Sequence, residues 1–236
     1  MAPYIRQFLA GRDFARGDMV ARQMANFVYL IGDSESKRCV LVDPAWDVDG
    51  LLEIVDREGW ELTGALATHY HPDHIGGDIF GIQIRGLVDL IGKRPVKVHV
   101  HEKEAEGVMQ VTGLSKSDME QRKSGDVLEI GNGVKLEFLH TPGHTPGSQC
   151  FLLDSVLVSG DTLFLDGCGR VDLPGGNLEE MYFSLTRVLG KLPDETILYP
   201  GHHYSAEAFA RMGDVKQRNW VMRIKDLSDW KRMHSG

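Results

Sequence analysis

The sequence has little cysteine, no long apolar run and no excess of positive charge, and each shortage removes a class of protein. Three cysteines, Cys39, Cys150 and Cys168, cannot all pair and show no C-x-x-C spacing. A disulfide framework is therefore not expected, and free thiols in a reducing compartment are. Apolar runs such as residues 26–31 and 148–153 are short, far below the roughly 20 residues that span a bilayer. The opening Met1-Ala2-Pro3-Tyr4-Ile5-Arg6 lacks the basic-then-apolar pattern of a signal peptide. These absences predict a soluble cytoplasmic protein with no membrane partner. A formal net charge of −8 repels phosphate backbones, so nucleic acid is not the expected partner either.

What is present is one globular chain's worth of patterning. The 236 residues suffice for a single full hydrophobic core, and no repeat or low-complexity stretch interrupts them. Residues 26–31 and 39–42 flank the polar turn Gly32-Asp33-Ser34-Glu35-Ser36 and read as a hairpin. Further strands are predicted at 65–68, 96–100, 134–139, 149–153, 156–159 and 196–199. One-sided apolar stripes predict helices at 48–58 and 178–189, the latter with Asn177 as N-cap and Gly190 just past its end, and a third at 214–229. Residues 80–94 read as a loop with helical content: a lid over a site, a contact between two copies in a homodimer, or plain packing. Strands in two batches with helices between and after them suit an α+β fold, two sheets covered by helices on their outer faces. The organisation expected is one domain over 1–236 with a short helical tail from about 205.

The chemistry is concentrated in Thr68-His69-Tyr70-His71-Pro72-Asp73-His74-Ile75-Gly76-Gly77, directly after an apolar strand. Residues two apart on an extended chain point the same way, so His69 and His71 can share one metal ion. Pro72 then turns the chain, and Asp73 and His74 can aim at a second position. More ligands must come from elsewhere, and later strand ends offer them: His144 within Thr-Pro-Gly-His-Thr-Pro-Gly, Asp161 within Ser-Gly-Asp-Thr, and His202 within Tyr-Pro-Gly-His-His. A glycine precedes each, as expected where backbone and ion crowd together. His99 and His101 also stand two apart but read as a strand-end pair facing solvent. His140 reads as a support for the His144 turn, His203 as a residue of the pocket mouth or surface, and His234 as part of a frayed tail. Trp46, Tyr70, Phe164, Tyr204 and Trp220 are aromatic candidates for a cleft or for packing, Tyr70 pointing away from the metals.

The ordered set His-x-His-x-Asp-His, Thr-Pro-Gly-His-Thr-Pro-Gly, Ser-Gly-Asp-Thr-Leu-Phe and Pro-Gly-His resembles the metallo-β-lactamase superfamily from about residue 26 to 203. The resemblance implies a four-layer αββα sandwich. It also implies that His69, His71 and His144 bind a first divalent ion, that Asp73, His74 and His202 bind a second, and that Asp161 bridges them. Zinc is the expected metal, and iron and manganese also suit a mixed His/Asp set. Aspartate at position 161, where the best-known β-lactam-hydrolysing members carry cysteine, places the chain with the glyoxalase II-like branch. The implied reaction is attack of a hydroxide held between the ions on a small ester, thioester or lactone carbonyl, with Asp73 orienting the water. Gly167-Cys168-Gly169-Arg170 resembles a segment whose basic residue holds a glutathione carboxylate in glyoxalase II, so Arg170 is a substrate-binding candidate, or else pairs with Asp172. The alternative function is that of the persulfide dioxygenases, which use a single iron at the positions of His69, His144 and Asp161. β-Lactam hydrolysis, nuclease action and non-catalytic metal binding fit the pattern less well.

Overall fold

Burial on both faces of the strands sets the layering. The computed structural model describes residues 3–234. Among these, β1 (Tyr4–Leu9), β2 (Phe27–Asp33), β3 (Arg38–Val42) and β4 (Glu61–Leu66) begin a first sheet, and β5 (Gly77–Ile79) and β6 (Ile82–Ile84) pair separately. β7 (Lys97–His101) and β8 (Met119–Arg122) complete the first sheet in the order β1-β2-β3-β4-β7-β8. β9 (Val127–Gly131), β10 (Val134–His140), β11 (Gln149–Leu153), β12 (Val156–Gly160), β13 (Ile197–Pro200) and β14 (Ala210–Arg211) form a second, in the order β14-β13-β12-β11-β10-β9. Every residue of β2 is buried. Phe27, Tyr29 and Ile31 pack towards Phe138, Phe151 and Val158 of the second sheet, while Val28 and Leu30 pack on the opposite face, as the period of two requires.

Helices close the outer faces. α1 (Met19–Met24), α2 (Val48–Arg57), α3 (Pro72–Ile75), α4 (Leu87–Lys93) and α5 (Ala105–Thr112) precede the second sheet. Leu51 and Val55 of α2, Leu87 and Leu90 of α4, and Val108 of α5 cover the first sheet. α6 (Leu178–Phe183) begins at Asn177, whose side chain accepts from Glu179 and Glu180 N–H. It is followed by α7 (Met212–Arg218), α8 (Trp220–Arg223) and α9 (Leu227–Met233). Met181, Val215, Val221 and Trp230 from these helices cover the second sheet. The layers are helices, sheet, sheet, helices: an αββα sandwich. No described helix is long and apolar enough to cross a membrane.

Five expectations are corrected. Residues 80–94 have the expected helical content in α4 and pack on the core through Ile84, Leu87 and Leu90, but the part read as loop is mostly a hairpin of β5 and β6, with Phe80 and Val88 exposed. The helix expected over 178–189 is regular only to Phe183, then passes through a wider π-type turn at Ser184–Val188 and a tight turn at Leu189–Lys191 that takes in Gly190. The tail after 205 starts with a strand, β14, at the edge of the second sheet. The helix expected at 214–229 is broken into α7, α8 and α9. Asn219 explains the break: its side chain leaves the helix to accept from Gly167 N–H at 2.9 Å and to donate to the Phe164 and Gly167 carbonyls at 3.0 and 2.9 Å. It also caps α8 through Val221 N–H. His234, expected to fray, packs its ring 4.1 Å from that of Trp230.

Asn219 is buried, so Asn219→Ala strands several backbone groups away from water. It is expected to lower the unfolding free energy by about 1–3 kcal/mol, read as a lower urea midpoint at unchanged slope. An unmoved midpoint would show that the 164–167 loop is held by other contacts.

Candidate metal centre

The parallel pair β12–β13 brings two of the motifs side by side. Gly160 is in register with Pro200, so Asp161 and His202 leave the sheet at the same end. From the facing sheet, β4 ends at Leu66 and the chain runs through His69 and an extended His71 into α3, where Pro72 occupies the first turn. Asp73 and His74 sit on that turn. His144 comes from the tight turn between β10 and β11. The glycines are required by contact: a Cβ on Gly143 would lie 2.4 Å from Met181 Cα, one on Gly160 2.6 Å from Thr68 Cβ, and one on Gly201 2.3 Å from Asp161 Oδ1.

All seven side chains named by the sequence meet at this end of the sandwich. Their donor atoms fall into overlapping groups, each within 4.8 Å: His69, His71 and His144; His69, His74 and Asp161; Asp73, His74 and His202. Asp161 lies between the outer two. Its carboxylate is 3.6 Å from His144 Nε2 on one side, and 3.4 and 3.3 Å from His74 and His202 Nε2 on the other. His69 Nε2, His144 Nε2 and Asp161 Oδ1 are buried without any hydrogen-bond partner. Buried polar atoms are almost always paired, and these three converge, so the donor set fits a cation.

The far nitrogen of four of the five imidazoles is held from behind, which turns Nε2 inward. His144 Nδ1 donates to the Arg170 carbonyl at 2.7 Å, and His202 Nδ1 to the Met24 carbonyl at 2.8 Å. His74 Nδ1 donates to Asp43 Oδ2 at 2.9 Å. Thr68 Oγ1 gives its proton to Asp43 at 2.6 Å and so accepts from His69 Nδ1 at 2.9 Å. Asp43 thus orients two imidazoles at once, and the sequence reading missed it. Its only sequence signal is an aspartate ending the apolar strand 39–42. Asn26 was missed as well: its amide nitrogen donates to Asp73 Oδ2 at 2.9 Å, and its oxygen accepts from Trp46 Nε1 at 3.1 Å. Trp46 therefore fixes the amide and does not line the cleft.

Electrostatics divide the centre. Burial, reinforced by the neighbouring imidazoles, drives His69 well below the ordinary histidine pKa and His71 down to about 4, leaving both neutral and ready to ligate. Burial also opposes charge on His74 and His202, but Asp73 and Asp161 outweigh it and raise both. Asp161 is held well below the carboxylate range by His202 and His74 despite burial. A cation bound in this half of the centre would displace those protons.

Phe164, Cys168, Leu173, Met24 and Tyr204 wall a cavity of about 470 Å³ over these groups. Tyr204 stacks on the His202 ring at 4.6 Å, and Phe164 meets Tyr204 edge-on at 5.3 Å. Arg170 borders this cavity, but its guanidinium forms a two-point pair with Asp172 at 2.9 and 2.7 Å. Trp220 lies elsewhere, stacked on Trp230. Tyr70 points away, donating to the Pro174 carbonyl, and His203 sets its ring against Phe27 at 5.4 Å. His140 supports the turn through the Pro146 carbonyl at 3.0 Å. The solvent-facing placement expected for His99 and His101 is wrong: both are buried. Arg122 bonds His99, and His101 stacks on His140 at 3.9 Å, because this strand end is covered by β8 and the second sheet.

The comparisons with known proteins agree with this arrangement. The family model described as the metallo-beta-lactamase superfamily matches residues 21–202. A hydroxyacylglutathione hydrolase of a Polaromonas species is 37% identical over 182 residues, 76% of this chain. The match spans 62% of that relative's length. The probable polyketide biosynthesis zinc-dependent hydrolase PksB of Bacillus subtilis is 29% identical across 84% of this chain and 82% of its own. Among solved structures, ETHE1 from Myxococcus xanthus superposes with a TM-score of 0.79 at 30% identity, covering 98% of this chain and 90% of that one. Motif order, layer order and donor geometry converge on one conclusion: the chain belongs to the metallo-beta-lactamase superfamily, in its glyoxalase II-like branch.

Proposed function

We propose that this chain is a metal-dependent hydrolase of small esters, thioesters or lactones. In this reading His69, His71 and His144 hold one zinc ion, Asp73, His74 and His202 hold a second, and Asp161 serves both. The observation that carries it is the position of Asp161, with one carboxylate within 3.6 Å of donors from both groups. The zinc-dependent relative from Bacillus subtilis supports the choice of metal. A bound pair of divalent ions supplies an activated water near neutral pH and a Lewis acid for the carbonyl oxygen.

The chain's own residues account for the rest. Asn26 fixes one oxygen of Asp73, leaving the other to accept a proton from the attacking water and aim it. Tyr204 and Phe164 shield the His202 side from bulk solvent, and Met24 and Leu173 give the cavity an apolar wall. A cavity of this size takes a small molecule. Arg170 reaches a substrate carboxylate only by exchanging its Asp172 partner, an exposed pair worth little by itself.

A second reading has an observation of its own. Among the buried side-chain atoms without a hydrogen-bond partner, those that converge on the centre belong to His69, His144 and Asp161, the set that would hold a single iron in a persulfide dioxygenase. Elemental analysis of protein purified without added metal separates the two. The hydrolase reading expects about two zinc ions per chain and turnover within a panel of thioesters, esters and lactones, abolished by chelation and restored by zinc. One iron per chain with oxygen uptake on a persulfide would establish the other.

Two further outcomes follow. Asp73→Asn is expected to lower kcat by about 10²–10⁴-fold in protein re-saturated with zinc, and an undiminished kcat would remove Asp73 from the reaction. The raised pKa values of His74 and His202 mean that protons occupy the second position as pH falls, starting above the ordinary imidazole range. Metal uptake should therefore release protons, and affinity should weaken as pH is lowered. Calorimetry in buffers of different ionisation enthalpy reads this directly, and uptake without proton release would contradict it.

A further inference from the structure

Glu104 is completely buried at the N-terminal boundary of α5. Oε1 accepts from Tyr70 N–H at 2.8 Å and from Thr145 Oγ1 at 2.7 Å, and Oε2 accepts from Gly147 N–H at 2.7 Å. Burial pushes its pKa up to about 7 against these three bonds, and among the described residues no cation helps to hold it. A buried carboxylate without a counter-charge is unfavourable, and an apolar side chain would fill the same space with less penalty.

Where the three bonds land gives the reason for keeping it. Tyr70 separates His69 from His71, and Thr145 follows His144. One carboxylate therefore ties together the two backbone segments that carry the first group of imidazoles. The approach is close: a Cβ on Gly147 would lie 2.5 Å from both the backbone nitrogen and Oε2 of Glu104. The second group is held by other atoms, Asn26 on Asp73, Asp43 on His74 and the Met24 carbonyl on His202. Among the described residues, no hydrogen bond holds the His71 ring, so the backbone at Tyr70 sets its place.

We infer that Glu104 is a positioning residue that sets the metal affinity of the first position, formed by His69, His71 and His144, and leaves the second position unaffected. This rests on the two-ion reading above. The glutamate acts through the backbone of the ligand segments and touches no reacting atom.

The test is a cobalt(II) titration of the chelator-stripped full chain, followed by visible absorption. It compares wild type, Glu104→Gln and Thr145→Val, with His71→Ala and His74→Ala identifying which step belongs to which position. Glutamine keeps one oxygen but turns an amide NH₂ into the Glu104 cradle of N–H and O–H donors, and Thr145→Val removes one bond of the three. The step lost in His71→Ala should weaken about 10–100-fold in Glu104→Gln and by less in Thr145→Val. The step lost in His74→Ala and the melting temperature of the stripped protein should hold. An unchanged first step overturns the inference. So does equal weakening of both steps with a lowered melting temperature, which would mark a merely structural role. If Glu104→Gln fails to fold, Thr145→Val decides on the same criteria. A wild-type chain that takes up no cobalt, or whose uptake ignores both histidine variants, overturns the two-ion reading itself.

Discussion

A buried imidazole turns its lone pair reliably into a cluster of others when something behind the ring dictates which nitrogen carries the proton. That constraint organises the end of the sandwich. The Arg170 and Met24 carbonyls, Thr68 and the Asp43 carboxylate each take the Nδ1 proton of one ring, so the Nε2 of these four rings faces inward. Asp43 stands at the end of β3 and Thr68 just beyond β4, so the parallel pairing of these strands is what lets one carboxylate serve two rings. Across the sandwich, Gly160 brings β12 against Thr68. Without that approach Asp161 would not reach between the two groups of donors.

The two halves of the centre differ before any ion arrives. His69 and His71 are neutral because burial and their neighbours suppress charge. His74 and His202 lie against two carboxylates and share protons with them. Glu104 braces the backbone of the neutral half alone. The wall above, from Phe164, Leu173 and Tyr204, is apolar, and the pair Arg170–Asp172 at its rim is exposed. Recognition in such a cavity rests on shape and on the polar group that reaches the centre.

The seven donors were legible because each stands in a short motif beside a glycine or proline whose backbone demands are local. The strands were legible for a similar reason, since the unbroken apolar run at 27–31 records two covered faces. What the sequence hid depends on distant partners. Asp43 and Asn26 look like ordinary strand-end polar residues until the fold sets them behind His74 and Asp73. Glu104 sits in a charged stretch with Glu102, Lys103 and Glu106 and gives no sign that it alone is buried. The segment 214–229 has helical periodicity throughout, but Asn219 has three bonds to make in the 164–167 loop, and those outweigh a continued helix. His99 and His101 alternate as an exposed strand end would, yet β8 and β10 cover them.

The central claim is spatial, and anomalous diffraction from crystals of the zinc-loaded chain, recorded on either side of the zinc absorption edge, tests it most directly. The account predicts two peaks at the end of the sandwich, one among His69, His71 and His144 and one among Asp73, His74 and His202, with the Asp161 carboxylate between them. Zinc bound away from these side chains, or an Asp161 carboxylate turned out of the cluster, would contradict it.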